Sequence, residues 1–197
     1  MILYYAPGGC SQASHIALIE AAISYQLVKV GRDKQTDDGR DFKTINPKGY
    51  TPALKLDDGT ILTESLAILA YIADKSGKLL AKDGLDHWRA LEATAFMATE
   101  LHGNFRPFFY PDSTAAEKDK AGKMLVTHFA TLAGQLGERK FLVGEQMTIA
   151  DAYLFVMLTW AAMMGIAVSE RLVTYAARMK SEPSVAKALA KEGLAGA

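Results

Sequence analysis

The sequence predicts an α/β segment followed by an all-helical one. Strand and helix signals alternate as far as Gly77, strand signals stop beyond the Gly77 to Gly84 connection, and later segments repeat their apolar residues at helical spacing. The expected division is a first domain over 1–77, a linker over 78–86 and a helical domain over 87–197.

A strand is expected at Ile2 to Tyr5, then a helix from Ser11 to about Ala22 with Ile16, Ile19 and Ile23 on one face, then a second strand at Leu27 to Val30. A polar loop around Arg32 to Gly39 leads to a short helical piece near Asp41 to Ile45 and the turn Asn46-Pro47-Lys48-Gly49. Ala53 to Leu56 and Thr60 to Leu62 flank Asp57-Asp58-Gly59, residues that accept the backbone angles of a hairpin turn. A helix from Glu64 to about Lys75 ends near Gly77. The order is β-α-β-α-β-β-α, with a parallel crossover first and a hairpin later.

In the second half Trp88, Leu91, Ala95 and His102 are expected to share one inward face. Thr114-Ala115-Ala116-Glu117 forms a capping box before the stripe Met124, Leu125, His128, Phe129, Leu132 and Leu136. Further helices are expected over Ile149 to Met164, Glu170 to Lys180 and Ser184 to Lys191, Pro183 separating the last two. Ala152 to Val168 approaches the length of a membrane span, but Asp151 opens it and Thr159 and Gly165 interrupt it, so it reads as a core helix. Thr148 is expected to cap its first turn.

Lysine plus arginine equals aspartate plus glutamate at 22 each, which leaves no global field to recruit nucleic acid or an anionic membrane. A small-molecule partner is expected instead. The single cysteine makes no intrachain disulfide, and Pro7, Gly8 and Gly9 break any signal-peptide run, so a reducing cytoplasm is the default expectation. That cysteine, Cys10, stands where the Tyr5-Ala6-Pro7-Gly8-Gly9 turn meets the first helix. A helix N-terminus favours a thiolate over a thiol, and the glycines are expected to leave room for another molecule's backbone. Cys10 with His15 makes no metal site, since no further ligands cluster nearby.

Across its length the chain resembles the cytosolic glutathione S-transferases, above all the bacterial beta class with its N-terminal cysteine. The resemblance rests on Tyr5-Ala6-Pro7-Gly8-Gly9-Cys10-Ser11, on Asn46-Pro47-Lys48-Gly49 running to Thr51-Pro52-Ala53-Leu54, and on Leu62-Thr63-Glu64-Ser65. In the helical half it rests on Glu100-Leu101-His102, Thr148-Ile149-Ala150-Asp151-Ala152-Tyr153-Leu154, Trp160 and the ending Lys191-Glu192-Gly193-Leu194. It implies a thioredoxin-like domain joined to a helical one, glutathione as co-substrate without a metal, and a homodimer.

The same resemblance assigns site residues. Cys10 and His102 are the implied catalytic pair, the histidine facing the cysteine from the helical domain. Thr51, with Pro52 cis, offers its backbone amide and carbonyl to the tripeptide. Glu64 and Ser65 at a helix start receive the γ-glutamyl carboxylate, and Lys34 reaches the glycyl one. Two departures reduce polar contacts from the helical domain: Ala95 stands where some relatives have asparagine, and Gly103 where they have lysine. Arg106, one turn on, is a candidate substitute for that lost charge. Phe109 and Trp160 are the expected acceptor surface.

The implied function is conjugation of the glutathione thiol to small hydrophobic electrophiles. Two alternatives stand beside it: a thiol transferase working through a Cys10 mixed disulfide, and a non-catalytic carrier of apolar ligands.

Overall fold

Residues 1–196 are described by the computed structural model, and they fall into two units. One is Met1–Leu80 together with the segment from Glu182 onward, and the other is Ala81–Ser181.

In the first unit β1 (Ile2–Tyr5) pairs in parallel with β2 (Gln26–Lys29), so the chain must cross over between them, and α1 (Ser11–Glu20) is that crossover. β3 (Ala53–Lys55) lies antiparallel to β1 and carries β4 (Ile61–Thr63) on its far side, giving the order β2-β1-β3-β4. The β3–β4 turn is the expected hairpin: Gly59 sits at φ +89°, and the Leu56 amide donates to the Thr60 carbonyl at 2.8 Å. Tyr4, Val28 and Ala53 meet across three strands and join Val30 and Phe42 in a core beneath the sheet.

α1 departs from expectation. Of the three isoleucines forecast as one face only Ile16 is fully buried, while Ser11, Gln12, Ser14 and His15 are buried as well. The helix touches β1, α2 (Ser65–Ser76) and α8 (Pro183–Lys191), so it has no solvent face over its first two turns. This also corrects the expected boundary. The final helix belongs with the first unit, because Val185, Ala188 and Leu189 on its apolar stripe are buried in that unit, where α8 packs against α1.

The second unit is helical throughout: α3 (Leu85–Phe96), a π-helical turn at Met97–Leu101, α4 (His102–Phe109), α5 (Ala115–Leu136), α6 (Ile149–Met164) and α7 (Glu170–Lys180). α6 is the core helix forecast from sequence, buried on every side from Ile149 to Leu158. Among the described residues no helix is long and apolar enough to cross a membrane.

Two stripes need correcting. α3 buries Ala90, Ala93 and Thr94, while Trp88 is 64% exposed. Small residues let α3 approach α6, and alanine and threonine signal burial too weakly to outvote a tryptophan in the sequence. α5 buries Ala121, Leu125, Phe129, Leu132 and Leu136, leaving Met124 exposed and His128 half-buried, a narrower stripe than the one read. Its capping box is formed as expected, the Thr114 hydroxyl accepting from the Glu117 amide while the Glu117 carboxylate accepts from the Thr114 amide.

At the start of α6 a second capping box forms, with Asp151 in the place that Glu117 takes at α5. The Asp151 carboxylate is the acceptor, taking hydrogen bonds from both the amide and the hydroxyl of Thr148. It also reaches back to the Leu142 amide and out to the Tyr175 hydroxyl.

Candidate functional site

Cys10 stands at the N-terminal end of α1, and the turn before it is tied from within. The Gly9 amide donates to the Ala6 carbonyl at 2.9 Å, and the Ser11 hydroxyl both accepts from the Ala6 amide and donates to the Ala6 carbonyl. Gly8 lies at φ +67°, a region that disfavours a side chain, and a Cβ on Gly9 would stand 3.1 Å from the Ala6 oxygen. The glycines therefore serve the turn itself.

The Cys10 sulfur donates to the Thr51 carbonyl at 3.3 Å. Thr51–Pro52 is cis, and the preceding turn is held by buried Asn46, whose side chain donates to the Tyr50 carbonyl and accepts from the Lys48 amide. That Thr51 carbonyl, expected to face outward, thus already carries a partner from its own chain. Burial pushes the Cys10 thiol up from its ordinary 9.0 to about 11; the Ser65 hydroxyl and the amides of Cys10 and Ser11 pull it down, and the nearby Glu64 charge adds to the rise. The helix N-terminus was expected to yield a thiolate. Desolvation outweighs it, and the group is a thiol that donates a hydrogen bond.

Glu64 opens α2 at φ +72° and ψ 126°, a conformation that costs a non-glycine residue on the order of 1–3 kcal/mol. Its exposed carboxylate accepts from the Lys48 ammonium at 2.5 Å and from the Tyr50 hydroxyl at 2.9 Å. The same carboxylate raises the pKa of both partners. Ser65, next in sequence, is buried. Lys34 is also left-handed, at φ +66°, its amide donating to the Gly31 carbonyl and its carbonyl accepting from the Phe42 amide. The structure thus gathers Cys10, Thr51, Pro52, Glu64 and Ser65 at one end of the sheet, and fixes Lys34 by its backbone in the loop after β2.

Lys48 and Tyr50 were not singled out by the sequence. Each lies at least 14 positions from Glu64, and only the cis turn and the hairpin bring them together. The turn Asn46-Pro47-Lys48-Gly49 was the one available signal.

In the second unit His102 follows the π-helical turn directly. Its Nδ1 is 2.7 Å from the Tyr153 hydroxyl, and its ring meets Trp160 edge-on at 5.1 Å. Trp160 is further enclosed by Phe105 at 5.4 Å and Phe109 at 4.9 Å. The two expected acceptor residues therefore differ: Trp160 is only 4% exposed and belongs to the core, whereas Phe109 is 46% exposed and covers it. The Arg106 guanidinium lies 5.2 Å from the centre of the Tyr110 ring. Among the described residues no three histidine, cysteine, aspartate or glutamate side chains gather as a metal-holding group.

Comparison with known proteins agrees with this geometry. The family profile described as glutathione S-transferase, N-terminal domain, matches residues 9–75, and that described as glutathione S-transferase, C-terminal domain, matches residues 96–183. The chain is 39% identical over 200 residues to glutathione S-transferase GstA of Escherichia coli O157:H7, covering 98% of this chain and 100% of the relative. A sphingomonad glutathione S-transferase solved in complex with glutathione superposes with a TM-score of 0.93 at 40% identity, covering 98% of this chain and 100% of the other. The beta class glutathione S-transferase of Sphingomonas chungbukensis superposes at 0.92, again with 40% identity and with 98% and 100% covered.

Proposed function

Since the chain belongs to the glutathione S-transferase family, we propose that it conjugates the thiol of glutathione to small hydrophobic electrophiles. The observation that carries this reading is the Cys10 thiol beside Thr51 and Ser65. A protonated Cys10 is a donor, suited to a neighbouring glutathione thiolate and not to attack on its own account. The glutathione sulfur, its proton lost to solvent, forms the new bond to carbon as a leaving group such as chloride departs. Positioning of the tripeptide and stabilisation of its thiolate are the main catalytic contributions.

In this reading the Thr51 backbone, Pro52 and Lys34 hold the tripeptide, Glu64 and Ser65 take its γ-glutamyl end, and His102 completes the catalytic pair with Cys10. Phe109 offers its exposed face to the acceptor. The homodimer and cytoplasmic location follow the family resemblance. The thiol transferase alternative needs Cys10 as a nucleophile, and a thiol near 11 weighs against it at neutral pH.

One experiment separates the two. Purified protein is given glutathione with 1-chloro-2,4-dinitrobenzene, and separately oxidised glutathione, with Cys10→Ala alongside. Conjugation by the native protein supports the proposal. No conjugation, with a reducible glutathione adduct on Cys10 that the variant lacks, transfers the assignment to disulfide chemistry.

A further inference from the structure

Glu192 ends α8, where its negative charge opposes the helix dipole, yet its carboxylate is fully buried. Helix stability does not explain a carboxylate there. Its partners do. One oxygen lies 2.7 Å from His15 Nδ1; the other accepts from the Gln12 side-chain amide at 3.0 Å and from the Gly8 backbone amide at 2.9 Å. On the far side His15 Nε2 is 2.9 Å from the Tyr25 hydroxyl, which accepts from the Lys191 ammonium at 3.2 Å. Every donor in this chain is matched when Tyr25 donates to Nε2 and Nδ1 carries the proton given to Glu192, a tautomer assigned from the partners.

Gly8 is the point that matters for chemistry, since it lies two positions before Cys10 in the turn that sets the sulfur. Leu194, just past Glu192, reinforces the tether: its Cδ1 would lie 3.5 Å from a Cβ on Gly8. The charge is felt there too, since burial and then Glu192 raise the pKa of Tyr5, three residues before Gly8.

We infer that Glu192 is a positioning residue for Cys10: its buried carboxylate ties the Gly8 amide to the end of α8, and so holds the Cys10 turn closed. The inference rests on Cys10 being the thiol of the site. Untying Gly8 loosens the turn, exposes the sulfur and spoils its alignment with Thr51.

The chain has one cysteine, so mass spectrometry of native protein treated with iodoacetamide times Cys10 alone. Glu192→Ala is expected to speed this alkylation about tenfold or more, because it removes a charge-assisted hydrogen bond from the turn. Glu192→Gln is expected to stay within about twofold of native: its carbonyl replaces the oxygen bound to Gly8 and Gln12, while its NH₂ faces Nδ1 of the other His15 tautomer. Tyr25→Phe cuts the same network beyond His15 and is expected to lower Tm while leaving alkylation within about twofold of native. A native rate in folded Glu192→Ala overturns the inference, as does acceleration in Tyr25→Phe that matches it. If Glu192→Ala does not fold, hydrogen exchange of native protein decides: a Gly8 amide protected like those of α8 supports the tether, and one exchanging like a free turn overturns it. These readouts are independent of glutathione turnover, so a failure of Cys10 as the catalytic thiol shows separately, in unimpaired conjugation by Cys10→Ala.

Discussion

Replacing Asp151 by alanine removes the acceptor of four hydrogen bonds from the interior of the helical unit: the Leu142 amide, the Thr148 amide and the Thr148 hydroxyl at 2.8 Å each, and the Tyr175 hydroxyl at 2.7 Å. The two hydroxyls can rotate toward other acceptors, but the two amides are fixed by the backbone. Each buried donor left without a partner costs about 1–3 kcal/mol, which puts the loss near ~4 kcal/mol for the pair. Loss of the cap at the first turn of α6 is already contained in the Thr148 share. Both tryptophans, Trp88 and Trp160, lie in the same unit as Asp151, so urea unfolding followed by tryptophan fluorescence reports the right transition. The midpoint is expected to fall by about 1–2 M with the slope unchanged. Asp151→Asn keeps the volume and one acceptor but turns an NH₂ toward fixed donors, so it should lose at least about half as much. Below the transition the glutathione KM of either variant should match the native protein. An unchanged midpoint refutes the reasoning, and unchanged stability with a raised KM would make Asp151 a ligand contact.

Alkylation of Cys10 by iodoacetamide should rise with pH to a midpoint near the shifted value of about 11; because the folded thiol holds its proton more tightly than the free one, the rate at pH 8 should lie well below that of a model thiol, and a midpoint at or below 9 would contradict the desolvated environment. Glu64→Gly should relieve the φ of +72° and raise stability by about 1 kcal/mol or less, while weakening glutathione binding about tenfold by calorimetry. Unchanged affinity would remove the Glu64 side chain from the site. Phe109→Ala, made in a Trp88→Phe background, should uncover Trp160, shift its emission to the red and cost about 0.5–1.5 kcal/mol of aromatic pairing. Emission that does not move would show Trp160 to be covered by other groups.

Much of the fold was legible because its signals are local. The Asp57-Asp58-Gly59 turn, the crossover through α1 and the capping boxes at Thr114 and Thr148 depend on residues a few positions apart, and backbone preferences act over that range. Cys10 and the Glu64–Ser65 helix start were legible for the same reason: each lies at a helix N-terminus announced by its flanking residues.

What the sequence determined by itself was therefore most of the elements, though not the π-helical turn that separates α3 from α4, together with their order and the cysteine at the head of α1. Tertiary structure decided how those elements are used. It turned Cys10 from an expected thiolate into a thiol, because burial raises its pKa by more than the Ser65 hydroxyl and the amides of Cys10 and Ser11 lower it, and burial depends on the closed fold, which no local pattern reports. It buried Trp160 beneath Phe109 and left Trp88 outside, since burial follows from which faces meet and not from which residues are apolar. It returned α8 to the first unit, where Glu192 meets Gly8 across 184 positions of chain. Periodicity describes one helix at a time, and long-range pairing is fixed only when the whole chain has closed on itself.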